Sequence, residues 1–167
     1  NDGQIVVNSE NEGPIKLILN NVEITDSKNA AIMIENADKA IIILADGSTN
    51  ILNDASETAN EATDENRADA ALYSKADLSI YGSGSLVVNG NYKEGISVKD
   101  GLIIGSGDIT VQAVEDGIYG KDYLVVGDGR VTVTAGKDGL KSENEDDTSQ
   151  GFIEIRGGEI NITSDGD

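Results

Sequence analysis

The sequence predicts an all-β fold: a right-handed parallel β-helix, in which one chain winds through stacked coils of about 22 residues with three strands per coil. The first observation is a repeat. The unit IIGSGDITV at residues 103–111 recurs as VVGDGRVTV at 125–133 and, more weakly, as EIRGGEINI at 154–162. The second observation is that apolar and polar residues alternate in short β-branched segments, and no stretch has a convincing helical period.

The spacing of the repeat defines the coil. Leu102 and Leu124 are 22 residues apart, and so are Gly95 and Gly117, and Gly117 and Gly139. A propeller blade needs about 40 residues and a leucine-rich repeat needs its Leu/Asn consensus, so both architectures fit worse. Residues 1–167 therefore form a single β-helix domain.

Two segments interrupt the repeat. Residues 53–67 are acidic and rich in small residues, and residues 143–150 (ENEDDTSQ) are an insertion, so both should leave the coil as excursion loops. The chain begins at Asn1 and stops within a repeat, with no capping helix at either end. We expect a fragment of a longer protein. The alternative is self-assembly, in which uncapped coil ends stack on other copies.

The alternation assigns faces to the third strand of each coil. One column should point into the core, formed by Ile32, Leu72, Ile96, Ile118 and Leu140. A second should point outward, formed by Met33, Tyr73, Ser97, Tyr119 and Lys141. A third, also outward, is formed by Glu35, Lys75, Lys99, Lys121 and Glu143. Successive members of a column should lie about 4.8 Å apart.

The charge limits the partners. Thirty-one acidic against twelve basic residues give a formal net charge of -19, which repels nucleic acid and anionic membranes. No segment is long and apolar enough to insert into a membrane. Histidine and cysteine are absent, which argues against zinc and copper and leaves oxygen-bound cations such as calcium.

Acidic residues recur at two turns of the coil. Asp69, Glu94, Asp116, Asp138 and Asp165 each precede a small residue, and a second column contains Asn36, Ala76, Asp100, Asp122 and Asn144. Stacked carboxylates repel one another unless a cation lies between them, so we expect calcium here, with Glu143 and Asp146 of the insertion completing its oxygen ligands. The alternative is that Asp-Gly is simply a good turn former.

Tyr73 and Tyr119 should lie two coils apart on one face, about 10 Å, which is close to the two-sugar repeat of a flat β-1,4 glucan. With Lys75, Lys99 and Lys121 alongside, they form a candidate carbohydrate-binding surface. Alternatively, these side chains decorate an exposed sheet, where lysines relieve the acidic field and discourage aggregation.

Three stretches carry a family resemblance: residues 89–100 (NGNYKEGISVKD), 116–122 (DGIYGKD) and 137–147 (KDGLKSENEDD). They resemble the secreted carbohydrate-binding domain-containing β-helix proteins of clostridia and related bacteria. The resemblance implies a polysaccharide-lyase-like β-helix with bound calcium, affinity for cellulose and pectic polymers, a cell-surface location and no established lyase activity. Family calcium ligands would fall on Asp116, Asp122, Asp138 and Asn144.

The sequence therefore predicts a non-catalytic, calcium-binding carbohydrate-binding module of an extracellular bacterial surface protein, recognising cellulose or a pectate-like polymer. One alternative is a structural adhesin or filament subunit that assembles through coil ends or edges. A third hypothesis is a calcium-dependent pectate-type lyase, with Lys99 or Lys121 as the base.

Overall fold

A computed structural model describes residues 2–56 and 67–166 of the chain. The described residues contain eighteen β-strands and no helix, and three consecutive strands make each of six coils. Coils 1 to 3 comprise β1 (Ile5–Asn8), β2 (Pro14–Leu19), β3 (Glu23–Thr25), β4 (Ile32–Asn36), β5 (Lys39–Leu44), β6 (Thr49–Asn53), β7 (Ala70–Ser74), β8 (Leu78–Gly82) and β9 (Ser85–Gly90). Coils 4 to 6 comprise β10 (Glu94–Val98), β11 (Gly101–Ile104), β12 (Asp108–Ala113), β13 (Ile118–Gly120), β14 (Tyr123–Val126), β15 (Arg130–Ala135), β16 (Leu140–Lys141), β17 (Phe152–Ile155) and β18 (Glu159–Ser164).

Equivalent strands of successive coils pair in parallel and form three six-stranded sheets. Sheet A has the order β1-β4-β7-β10-β13-β16, sheet B contains β2-β5-β8-β11-β14-β17, and sheet C contains β3-β6-β9-β12-β15-β18. The prediction of a parallel β-helix is confirmed. Crossovers between parallel strands are right-handed as a rule, which is the basis on which the sequence predicted a right-handed coil.

The coil length varies more than the repeat indicated. Ile104 pairs with Val126, 22 residues later, but Ile80 pairs with Ile104 after 24 residues and Leu17 with Ile42 after 25. The average is about 25 residues per turn. The predicted period of 22 therefore describes the step from coil 4 to coil 5, because the earlier turns are longer and the 143–150 insertion lengthens the last step of sheet B, from Leu124 to Ile153.

The core is a set of apolar ladders inside the three sheets. The predicted inward column is in register from Ile32 to Leu140, and its members Ile32, Leu72, Ile96 and Ile118 have no exposed surface. Full burial of one such side chain stabilises the fold by roughly 1.5–3 kcal/mol. The ladders fix the register, because a slip of one residue would turn every apolar side chain outward.

The glycines of the acidic turns are required by packing. Neither Gly95 nor Gly117 has a positive φ, so the turn does not demand glycine for its backbone conformation. A Cβ at Gly95 would instead collide with Cγ1 of Val111, and one at Gly117 would collide with Cγ1 of Val133. These glycines let the turn close against core valines of sheet C.

Three details differ from the sequence prediction. The chain forms a first strand at Ile5–Asn8, which the repeat did not reveal. Glu94 pairs with Ala70, so Asp69 lies one position before the acidic column. Asp165 also lies outside the acidic column. Its N–H donates to the carbonyl of Ala135, so Asp165 aligns with residues that precede Asp138 and not with Asp138 itself.

Parts of the predicted loops can be located. Most of the 53–67 excursion, residues 57–66, lies outside the described residues. At its end, the Arg67 guanidinium stacks 3.6 Å above the Tyr92 ring, at the corner between sheets C and A. The 143–150 insertion carries no strand and connects β16 to β17. No helix in the described parts of the chain is long and apolar enough to cross a membrane.

Candidate functional site

The outer face of sheet A brings the two predicted tyrosines to either side of one lysine. Tyr73, Ser97 and Tyr119 are in register on neighbouring strands. The ammonium of Lys99 lies 5.6 Å from the centroid of the Tyr73 ring and 5.3 Å from that of Tyr119, within the range of cation–π attraction. The rings are thus two coils apart, as predicted, but Lys99 fills the space between them.

Burial differs along this face. The sequence assigned Met33 and Ser97 to an outward column, and both do point away from the core, yet Met33 is 7% exposed and Ser97 is fully covered. Met33 packs with Ala30, Ala68 and Tyr73 in a small second cluster. The hydroxyl of Ser97 is buried and has no hydrogen-bond partner among the described residues.

Glu94 lies at one end of the tyrosine–lysine face. Its Oε2 is buried and has no hydrogen-bond partner within the described parts of the chain. Burial raises the pKa of Glu94 to about 7, and the nearby carboxylates of Asp69 and Glu115 act in the same direction. Burial, followed by the charges of Asp69 and Glu94, likewise raises the pKa of Tyr73, so its hydroxyl stays protonated at neutral pH.

The three lysines of the predicted ladder have different surroundings. Lys75 is exposed. The Nζ of Lys99 lies 4.0 Å from Oδ2 of Asp69, in addition to its contacts with the two rings. The Nζ of Lys121 donates to Oδ2 of Asp146 over 3.0 Å, and this bond raises the pKa of Lys121. The ladder is therefore not a uniform row of available cations.

In the first acidic column, a lysine lies where a cation was predicted. The Nζ of Lys141 is 3.2 Å from Oδ2 of Asp116 and 3.5 Å from Oδ2 of Asp138, with Oε2 of Glu143 at 3.9 Å. Oδ1 of Asp116 also accepts the backbone N–H of Asp138 over 3.2 Å, which ties coil 5 to coil 6. These carboxylates have protein partners, and the pKa of Lys141 is raised by its hydrogen bond to Asp116.

The second acidic column differs from the first in the charged groups that surround its carboxylates. Within the described ranges, neither Asp100 nor Asp122 forms an ion pair with a lysine or arginine. Burial raises the pKa of Asp100 to about 6, and its hydrogen bond to Asp122 and the charge of Asp77 act in the same direction. The amide Nδ2 of Asn144 donates to Oδ1 of Asp122 over 2.6 Å. The insertion also covers this turn, because the N–H of Gly151 donates to the carbonyl of Asp122.

The second column suits calcium better than the first. Among the described residues, no group of three acidic side chains is arranged to hold a metal ion. Calcium accepts six to eight oxygens, which include carbonyl and water oxygens as well as carboxylates. Asp100 and Asp122 supply two adjacent carboxylates that repel each other when both are charged, and a cation would relieve that repulsion.

A tyrosine that the sequence did not single out lies beside this turn. The hydroxyl of Tyr123 donates to Oδ1 of Asp77 over 3.1 Å, and the same oxygen accepts the N–H of Gly101 over 3.0 Å. Burial and the charge of Asp77 raise the pKa of Tyr123 to about 12, so the hydroxyl remains a donor. The sequence indicated this contact only through the repeat, because Asp77, Gly101 and Tyr123 occupy equivalent positions in three successive coils.

This fold and these faces define a class: a parallel β-solenoid of the polysaccharide-lyase-like type. The chain belongs to the carbohydrate-binding domain-containing protein family, whose model matches residues 1–167. The family is described by carbohydrate binding and not by a catalytic activity, in agreement with the non-enzymatic prediction.

Two relatives support this assignment. A carbohydrate-binding domain-containing protein of Acetivibrio thermocellus is 40% identical over 113 residues, which are 68% of this chain and 40% of the relative. A solved structure described as the polysaccharide lyase-like protein from C. thermocellum, gadolinium derivative, aligns with a TM-score of 0.92 and 40% identity. That alignment covers 98% of this chain and 66% of the solved one. The curated relative is therefore much longer than the part this chain matches.

Proposed function

We propose that this chain is a non-catalytic, calcium-binding carbohydrate-binding module of an extracellular bacterial surface protein, and that its ligand is a plant cell-wall polysaccharide, either cellulose or a pectate-like polymer. The observation that carries the carbohydrate part is the pair of tyrosine rings on sheet A. Tyr73 and Tyr119 flank Lys99, above the buried hydroxyl of Ser97, which has no hydrogen-bond partner in the part of the chain that the structure describes. Aromatic rings bordered by polar donors are suited to sugars, which have both apolar faces and hydroxyl edges.

The arrangement favours a polymer that approaches along the solenoid axis. Equivalent side chains recur about every 4.8 Å from coil to coil, so an extended chain would meet Tyr73, Lys99 and Tyr119 in turn. Movement of Lys99 out of the space between the rings would expose Ser97 to a sugar hydroxyl. Lys75, which is exposed at the same position one coil earlier, is available to a carboxylate or hydroxyl of the polymer.

Calcium in this proposal is held by Asp100 and Asp122, with oxygens from the neighbouring turn around Asn144 completing the site. Its role would be to neutralise the paired carboxylates and to bind the carboxylates of an anionic polymer. The matched solved structure is described as a gadolinium derivative, and gadolinium, like calcium, is a hard cation that oxygen ligands bind. The column of Glu94, Asp116 and Asp138 is a weaker candidate, because Lys141 already pairs with two of its carboxylates.

A lyase is less consistent with the lysines. A general base must be deprotonated to accept a proton, and the pKa of Lys121 is raised by Asp146. The ammonium of Lys99 contacts two aromatic rings and lies 4.0 Å from Asp69, so groups of the protein already surround it.

Binding to immobilised polymers tests this proposal. We expect the chain to be retained on cellulose and on polygalacturonate, and retention on polygalacturonate to fall when EDTA removes calcium. Replacing Tyr73 and Tyr119 with alanine should weaken retention on polygalacturonate, whereas Tyr92→Ala, which removes a ring at another corner, should not. Wild-type protein that passes through both matrices would refute the carbohydrate proposal.

Terbium luminescence tests the cation separately, because a nearby tyrosine can sensitise a bound terbium ion. We expect a saturable signal that calcium displaces and that Asp100→Asn and Asp122→Asn abolish. Glu10→Gln, which neutralises an exposed carboxylate in coil 1, is the matched control and should leave the signal intact. If both column variants bind terbium like the wild type, calcium is not held at this turn.

A further inference from the structure

Two of the three outward columns of sheet B are uncharged over four coils, whereas the third, which contains Gly101 and Tyr123, begins with Lys39 and Asp77. In β5, β8, β11 and β14, two outward positions per coil are occupied by Ile41, Ile43, Ser79, Tyr81, Ile103, Gly105, Val125 and Gly127. Charged residues take these positions only in the outermost coils, as with Lys16 in coil 1 and Glu154 in coil 6. In a chain of net charge -19, this is an unusually neutral surface.

Two tyrosines lean onto coil 4 across this face. Tyr81 belongs to coil 3, and its ring lies where a side chain at Gly105 would be, since a Cβ there would overlap Cε1 of the ring. Tyr123 belongs to coil 5, and its ring takes the corresponding place at Gly101, where a Cβ would overlap Cζ. Gly101 begins β11 and Gly105 directly follows it, so the two glycines are about 13 Å apart, and Ile103 lies between them.

The Tyr123 ring is half-buried and held in place, and the Tyr81 and Phe152 rings remain accessible. The bond from the Tyr123 hydroxyl to Asp77 fixes one ring, and the Phe152 ring stacks beside it, with centroids 5.9 Å apart and planes 24° from parallel. Tyr81 is 42% exposed and Phe152 is 45% exposed. Glycine at positions 101 and 105 is what allows both tyrosines to lie against the sheet.

We propose that the outer face of sheet B, built from Tyr81, Ile103 and Tyr123, is a binding platform for a flat, uncharged β-linked glucan chain. Sugar rings present apolar C–H faces that stack on aromatic side chains, and a flat sheet surface complements a flat polymer. In the absence of calcium, a uronate polymer would instead meet the repulsion of Asp77 and Asp100 beside Tyr123. A second copy of this chain is disfavoured as the occupant, because two molecules of charge -19 repel each other.

This inference rests on the proposed carbohydrate-binding function and deepens it, because it divides the two polymers between two faces. Neutral glucan binds sheet B without calcium. Anionic polymer binds near the lysines of sheet A and the Asp100–Asp122 turn, and requires the cation.

Calorimetric titration with cellohexaose, in EDTA, tests the platform. We expect Tyr81→Ala and Tyr123→Ala each to weaken binding by about fivefold, and the double variant to weaken it further. Ile103→Lys keeps both rings and the core, yet puts a charge between the rings, so it should weaken binding at least as much as either tyrosine variant. It provides a second test if the double variant fails to fold, which circular dichroism would reveal. Tyr92→Ala is the control and should bind like the wild type.

The outcomes separate the inference from the proposed function. If the folded Tyr81 and Tyr123 variants and Ile103→Lys all bind cellohexaose normally, the platform is refuted. If Tyr73→Ala and Tyr119→Ala abolish cellohexaose binding instead, the proposed function stands and the assignment to sheet B is wrong. If the wild-type chain binds neither cellohexaose nor polygalacturonate, with or without calcium, the proposed function itself fails.

Discussion

Asp54 should make the fold less stable as the pH rises, and Asp54→Asn should remove that effect. The side chain follows β6, is 5% exposed, and accepts the backbone N–H of Asn91. Burial raises its pKa from 3.8 to about 6, while the hydrogen bond from Asn91 and the charge of Arg67 lower it only in part. The folded protein therefore binds this proton more tightly than the unfolded chain does.

The sign and size follow from proton linkage. Below pH 4 the group is protonated in both states and costs nothing. Between pH 4 and 6 the unfolded chain loses the proton first, so the free energy of unfolding falls as pH rises, and above about pH 6 the loss is complete. A shift of about two units corresponds to roughly 3 kcal/mol, which is an upper limit because the folded structure can relax around the charge.

Thermal unfolding followed by circular dichroism at pH 4.5 and pH 8 measures this effect. The amide of the asparagine variant keeps an oxygen for the N–H of Asn91 and carries no charge, so Asp54→Asn should stabilise the protein by about 1–3 kcal/mol at pH 8 and by much less at pH 4.5. For a chain of this length, that is a rise in Tm of roughly 3–10 °C at pH 8. Because the net charge of -19 also destabilises the fold at high pH, Glu10→Gln controls for simple charge removal. Equal effects of the two variants would refute the argument.

Two further variants test the acidic turns. Gly117→Ala should destabilise the protein by about 1–3 kcal/mol in chemical denaturation, because its Cβ would collide with Val133. An unchanged unfolding midpoint would show that the turn accommodates a Cβ at this position. Lys141→Met should lower the free energy of unfolding at low salt, because it removes the ion pairs with Asp116 and Asp138. It should also create a new cation site between these two carboxylates, detected as added terbium luminescence. If no luminescence is added, the carboxylates do not form a cation site even without Lys141.

The sequence was sufficient for the repeat and for the direction of most side chains. Leu102 and Leu124 are paired in the sheet as their 22-residue spacing predicted, and Ser97 lies between Tyr73 and Tyr119. These predictions succeeded because strand alternation and coil stacking depend on local sequence, and the repeat shows the same pattern in several coils. Where the repeat is interrupted, at residues 53–67, the alignment of Asp69 slipped by one position.

Contacts between columns were not predictable in the same way. The repeat period predicts that Lys141 lies next to the acidic column, but it does not predict the contact between its ammonium and Asp116 in the preceding coil. The lean of Tyr81 and Tyr123 onto coil 4 was missed for the same reason. In the sequence, this contact is indicated by glycine at outward positions, where alternation alone predicts a larger side chain. Those glycines can be interpreted only when the register of the neighbouring coils is known.

Polysaccharide binding is the property on which the proposed function of this solenoid rests. Retention of the purified wild-type chain on insoluble cellulose and on immobilised polygalacturonate, each with calcium and with EDTA, tests it most directly. We predict retention on cellulose in both buffers and on polygalacturonate in calcium alone. Failure to bind either polymer in calcium would contradict the account.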